Sequence, residues 1–288
     1  VICLKIGYIY SITSAILFGC AGLVLKFAYV ERIGPVDLLT FQYIIAVCIM
    51  FIILYIKNKG LPKLNKSDLL HLCVLGVLGN TLMTIFYYTA YQYLTMSMVT
   101  ILLYTYPVMV FLYSLIFEKI KFKANKIIAL ILAFVGCLLA LNLINGGVKY
   151  SSIGIIFGLL AAVFYAFMNI YSEKKLAHID SFSINAYSTL FSLISLILYK
   201  FPSFIFKGEV TETTFICTII LAVFCEIIPL TLIYAAIKHI GSLKVSIIGN
   251  LETPTAMLLS FFVLRESISF VQVIGAILIF CAVYIIRK

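Results

Sequence analysis

Ten apolar runs, each about long enough to cross the hydrocarbon of a bilayer as a helix, follow one another with only short polar breaks between them. They span residues 7–27, 38–56, 69–91, 96–117, 127–143, 153–172, 182–199, 214–237, 245–264 and 269–286. Inside lipid every backbone N–H and C=O must be satisfied within the segment, so such runs read as helices. Composition agrees, with 64% of the 288 residues hydrophobic and 11% charged, against about 25% charged in a soluble domain. Too little polar surface remains to coat a water-soluble globule. The expected fold is an all-α integral membrane protein of ten transmembrane helices, with the lipid bilayer as its solvent.

The net charge of +10 could suggest nucleic acid as a partner, but the basic residues form no stripe with interleaved aromatics. They cluster in the breaks, as residues that orient a membrane protein do. With the N-terminus cytoplasmic, ten spans place Lys5, Lys57, Lys59, Lys63, Lys66, Lys119, Lys121, Lys123 and Lys126 inside. The same face takes Lys174, Lys175, Lys238, Lys244, Arg287 and Lys288, which makes 15 of the 21 basic residues. Lys26, Arg32, Lys149, Lys200, Lys207 and Arg265 fall outside. A multi-pass protein of the cytoplasmic membrane with both termini cytoplasmic follows from this asymmetry. The eight cysteines are scattered through apolar runs without a C-x-x-C pair, so neither a metal nor a redox motif is expected. Lys5 followed by an apolar run could pass for a signal peptide, but the same segment reappears later in the chain.

That reappearance is an internal repeat. Shifted by 147 residues, Gly7 falls on Gly154, Ala15 on Ala162, Phe18 on Tyr165 and Gly19 on Ala166. Tyr87 falls on Tyr234, Thr95 on Ser242 and Pro107 on Pro254. After a slip of one residue Glu118 pairs with Glu266, Ile120 with Ile268 and Phe122 with Phe270. Two units of five helices are expected, 1–146 and 147–288, the break at Asn145-Gly146-Gly147 lying between them. An odd number of spans inverts the second unit relative to the first. The charges fit, because the lysine-rich breaks of the first unit correspond to Lys200 and Lys207 offset by Glu209 and Glu212, and to Arg265 beside Glu266. Inverted halves can exchange roles and open a central site to each side in turn, which predicts transport by alternating access.

The stretch 101–108, Ile-Leu-Leu-Tyr-Thr-Tyr-Pro-Val, followed by Phe117-Glu118, resembles the fourth helix of EamA-type transporters of the drug/metabolite transporter superfamily. Leu251-Glu252-Thr253-Pro254, Leu264-Arg265-Glu266 and Gln272-Val273-Ile274-Gly275-Ala276 resemble the ninth helix and the start of the tenth. The resemblance implies a carrier exporting small organic metabolites, amino acids or related compounds, across the cytoplasmic membrane. Drug or cationic-compound efflux, which also occurs in the superfamily, is the alternative. The chain departs from the family's pattern at Gln42, where arginine is frequent, and at Glu226, where a small residue is usual.

Charge at mid-membrane costs about 2.5–3.5 kcal/mol on insertion scales, so it defaults to function. Glu226 and Glu252 are the two carboxyls deep in predicted helices, three and two residues before Pro229 and Pro254. With Pro107 these prolines are expected helix breaks or hinges, since each lacks a donor and frees a carbonyl. A desolvated carboxyl holds its proton until a cation or water reaches it, so protons are the expected coupling ion. Asn80, Thr84, Tyr87, Tyr88 and Tyr91 are candidates for a substrate path on the third helix, the last four sharing one face by their spacing. Tyr104, Tyr165, Asn169 and Tyr234 join them from other helices. Ala15 with Gly19, Gly154 with Gly158, and Ala162 with Ala166 are read as helix-packing positions. An enzyme would need a nucleophile–base or metal set in the bilayer. His71, His178 and His239 instead fall at predicted helix ends, and no phosphate-binding G-x-x-x-x-G-K-[ST] occurs. A secondary carrier without cofactor or metal is therefore expected.

Overall fold

The computed structural model describes residues 2–28, 34–60, 62, 64–117, 123–141, 151–206, 210–265 and 267–287. Among them are nine helices long and apolar enough to cross a membrane, and a shorter apolar tenth. In chain order they are α1 (Ile2–Ala28), α2 (Pro35–Asn58), α3 (Lys66–Tyr91) and α4, made of Met96–Leu103 and Tyr106–Phe117. Next come α5 (Ala124–Ala140), α6 (Ser152–Lys175), α7 (Ser181–Tyr199) and α8 (Glu212–Ile240). The last are α9, made of Ser242–Gly249 and Glu252–Leu264, and α10 (Phe270–Arg287). The sequence spans thus coincide with the helices to within a few residues. Arg32, Lys63, Lys119, Lys121, Lys149, Lys207 and Lys288 of the charge count lie outside the described residues, as do Glu209 and Glu266. So do Glu118, Ile120 and Phe122 of the repeat, and the break at Asn145-Gly146-Gly147.

Local chemistry sets the ends. Pro35 opens α2, where its missing N–H costs nothing, with Asp37 in the first turn beside the positive end of the dipole. The same helix closes on Lys59 at φ 51°, and Gly60 N–H donates back to the Tyr55 carbonyl. Side chains from the breaks cap four further helices. Asn65 accepts from Asp68 N–H, Ser151 from Gly154 N–H, Asp180 from Ser183 N–H and Thr211 from Thr214 N–H.

The packing has the symmetry of the repeat. α1 lies against α8 and α9, and its counterpart α6 lies against α3 and α4; α2 pairs with α7 and α5 with α10. Contacts correspond to within a residue. A Cβ on Gly7 would strike His239 and Ile240, and one on the equivalent Gly154 would strike Tyr93 and Leu94. α5 and α10 meet backbone to backbone, a Cβ on Gly275 falling 2.4 Å from Ala140 N and 2.6 Å from the Gly136 carbonyl. Ala15, Ala162 and Ala166 are buried in the same way.

Polar contacts at the helix ends define two faces. Tyr8 hydroxyl donates to the Arg287 carbonyl at 3.4 Å, so the start of α1 and the end of α10 share one face. The end of α8 joins them through Gly7, and Lys238 of α8 reaches the Ile179 carbonyl between α6 and α7. Asp68 at the start of α3 pairs with His178 just after α6 at 2.9 Å, on this same face. The opposite face carries the Asp37–Lys200 pair at 2.6 Å, where α2 begins and α7 ends. α1 therefore runs from the first face to the second and α6 runs back, which makes the halves inverted copies. Large apolar side chains such as Ile52, Leu198, Phe262 and Ile277 point outward, as a lipid-facing surface requires.

Candidate functional site

α8 is not regular through its middle. It widens to a π turn at Val223–Ile227, between Glu212–Ala222 and Ile228–Ile240. Pro229 cannot donate, and neighbouring helices serve the carbonyls around it. Asn185 Nδ2 of α7 donates to the Ile227 carbonyl at 3.1 Å and to Thr231 Oγ1 at 3.0 Å. Ser14 of α1 donates to the Pro229 carbonyl at 2.8 Å. Ahead of Pro229 the helix thus widens and stays continuous. The bulge turns Glu226 inward, 6% exposed, with Thr189 Oγ1 3.3 Å from its Oε1. The same hydroxyl lies 3.1 Å from Asn185 Oδ1, and its one proton serves one acceptor at a time. When Thr189 donates to Asn185, a protonated Glu226 can donate to Thr189, so both states of the carboxyl find a partner.

α3 carries the matching irregularity, a π stretch at Leu75–Leu82, with Gly79 standing 147 residues before Glu226. Asn80 is in this stretch, 3% exposed, and neither its amide nitrogen nor its oxygen has a hydrogen bond of acceptable geometry among the described residues. The Tyr234 hydroxyl lies next to it.

α4 and α9 are interrupted at places equivalent to within a residue, at Tyr104–Thr105 just ahead of Pro107 and at Asn250–Leu251 just ahead of Pro254. Asn250 Nδ2 closes the first part of α9 by donating to the Ser246 and Ile247 carbonyls at 3.3 and 3.1 Å. Cys137 of α5 donates its thiol to Asn250 Oδ1 at 3.1 Å. Glu252 opens the second part of α9, where a half-helix N-terminus favours negative charge. The Tyr104 hydroxyl lies beside its carboxyl.

These elements enclose a cavity of about 240 Å³ walled by α1, α2, α3, α4, α6, α8 and α9. Of the candidates, Glu226, Glu252, Asn80, Thr84, Tyr87, Tyr88, Tyr104, Tyr165 and Asn169 line it. Tyr91 and Tyr234 do not. Tyr91 packs edge-on against Tyr87 at 4.8 Å beyond the wall, and Tyr234 is buried behind it at 1% exposure. Pro107, Pro229 and Pro254 are not among the lining residues either. Sequence reasoning missed Ser11, Ser14 and Phe18 of α1 and Tyr43 of α2, and it read Gln42 only as a departure from a pattern. It also missed Tyr106, whose position beside Pro107 was the available signal. The wall's only charged side chains are Glu226 and Glu252, and no Lys, Arg or His is among the described residues that line it.

Inverted helical halves enclosing a cavity lined by two carboxyls have the architecture of a multi-pass membrane transporter. The family model described as the EamA-like transporter family matches residues 5–142 and 152–288, and the chain belongs to that family. It is 26% identical over 261 residues to an uncharacterized transporter of Archaeoglobus fulgidus, covering 88% of each chain. It is 25% identical over 279 residues to the uncharacterized transporter YetK of Bacillus subtilis, covering 94% of this chain and 84% of that one. A solved crystal structure 14% identical in sequence superposes with a TM-score of 0.80, covering 97% of this chain and 96% of the other. That likeness concerns the fold alone.

Proposed function

We propose that the chain is a secondary active carrier that exports a small polar metabolite bearing an amino group, an amino acid or related compound, by alternating access coupled to protons. The observation that carries this reading is the sign of the wall, since both its charged groups are carboxyls. An amine offsets a buried carboxylate that would otherwise remain uncompensated, and tyrosine rings around the site offer faces to a cation. A carboxyl that releases its proton as the amine arrives, and regains it as the amine leaves, exchanges one for the other. Thr189 gives Glu226 a partner in both states.

Efflux of larger cationic drugs is the second reading, favoured by the aromatic wall. Size weighs against it, because drug-sized ligands occupy pockets of about 300–1,000 Å³ and this cavity holds about 240 Å³.

The test is transport of amino acids and amines by purified protein in vesicles, with and without a pH gradient. A gradient should drive uptake in the native protein, and Glu226→Gln should abolish that dependence because an amide cannot exchange a proton. Uptake indifferent to the gradient would sink proton coupling. A Glu226→Gln protein with native gradient dependence would remove the carboxyl from the mechanism.

A further inference from the structure

The wall carries two carboxyls where one would suffice for one amine. They sit on different helices, Glu226 in the bulge of α8 and Glu252 at the start of the second part of α9. Each has its own neighbours, Thr189 beside the first and Tyr104 beside the second. Tyr165 lies within electrostatic range of both. No Lys, Arg or His is among the described residues that line the cavity with them. The other titratable groups on the wall are Cys225 and the tyrosines Tyr43, Tyr87, Tyr88, Tyr104, Tyr106 and Tyr165.

Two further wall residues point to an occupant. Ser11, 2% exposed, holds a hydroxyl without a hydrogen bond among the described residues, and Asn80, 3% exposed, has only the adjacent Tyr234 hydroxyl beside its amide, in poor geometry. Asn80 adjoins Tyr234, which is within electrostatic range of Glu226, so the amide stands at the Glu226 end of the cavity. Buried polar atoms left unmatched by the protein are matched when a solute supplies the hydrogen bond.

We infer that the cavity takes an organic dication, a linear aliphatic diamine, with one ammonium at Glu226 and the other at Glu252. This rests on the amine-carrier reading above. The methylene chain lies along Tyr165 and the apolar wall, and the Asn80 side-chain oxygen accepts from the ammonium at the Glu226 end. One dication neutralises the two carboxylates, so the filled cavity has no net charge to desolvate. A monoamine of the same length would leave one carboxyl unmatched.

The experiment measures binding to the full chain in lipid nanodiscs by calorimetry, using diaminopropane through diaminooctane against the monoamines from propylamine to octylamine. Matching chain lengths cancels the contribution of the methylenes. One diamine length should bind at least about tenfold more tightly than its monoamine, the gain expected from one more charge-assisted hydrogen bond. Glu226→Gln and Glu252→Gln should each erase that advantage. Thermal unfolding checks that the variants are folded, and the native series alone decides the case if they are not. Equal binding of diamines and monoamines at every length overturns the dication while leaving the amine reading standing. So does a diamine advantage that survives either substitution. Failure of both series to bind overturns the dication, and the amine reading then stands or falls on the vesicle transport of amino acids.

Discussion

Two asparagines buried to nearly the same degree contrast in how they are held. Asn185, fully buried, has its amide shared between the Ile227 carbonyl and Thr231, with Thr189 donating to its oxygen. Asn80 has no such partners among the described residues. Removing one side of a satisfied network strands the rest, whereas removing an unmatched group relieves a penalty of about 1–3 kcal/mol. Asn185→Leu is therefore expected to lower the stability of the purified protein by about that amount. Asn80→Leu is expected to raise it while weakening solute binding by about tenfold, a trade of function against stability. Thermal unfolding and equilibrium binding of the same samples check both. Equal destabilisation by the two would show that Asn80 serves packing. Asn80 was legible in the sequence because it interrupts an apolar run. Asn185 and Thr189 were not, because α7 also carries Ser181, Ser183, Ser188 and Ser192. Which of these meets a carboxyl depends on the helix packed against it.

At the scale of elements, the prolines told where helices depart from regularity but not how. Pro107 and Pro254 each follow a break by two or three residues, and Pro229 follows a bulge. The difference is one of available partners. Asn185 and Ser14 serve the carbonyls around Pro229, so α8 can stay continuous. In α9 the closing group comes from within, Asn250 turning back on Ser246 and Ile247. The two breaks are equivalent in the repeat, and each divides a helix that lines the cavity with residues on either side of it. Pro107→Ala and Pro254→Ala restore the missing donor and should stiffen both helices. The expected result is a turnover about tenfold lower in each variant, with solute affinity little changed, as for residues that gate and do not bind. Comparing exchange rates in vesicles with equilibrium binding separates these quantities. Native turnover in both would mean that the breaks are static features of the wall.

The whole molecule presents a different problem, because inverted halves give the fold no preferred direction across the membrane. Exchanging the halves turns the bundle over and leaves its helix pairings in place. Only charge breaks the tie. The face that holds Ile2 and Arg287 carries Lys57, Lys59 and Lys66 after α2, and Lys123 and Lys126 before α5. At the corresponding described places on the other face stand Lys200, paired with Asp37, and Arg265. This asymmetry was readable from the sequence once the count of ten spans was fixed. The shared cavity was not readable, because its wall joins residues as distant as Ser11 and Glu252. By that bias the lysine-rich face is expected in the cytoplasm, with Ser203 outside the cell and Lys175 inside. In a background freed of native cysteines, Ser203→Cys should react with a membrane-impermeant maleimide on intact cells. Lys175→Cys should react only after the membrane is opened. The reverse pattern would turn the molecule over.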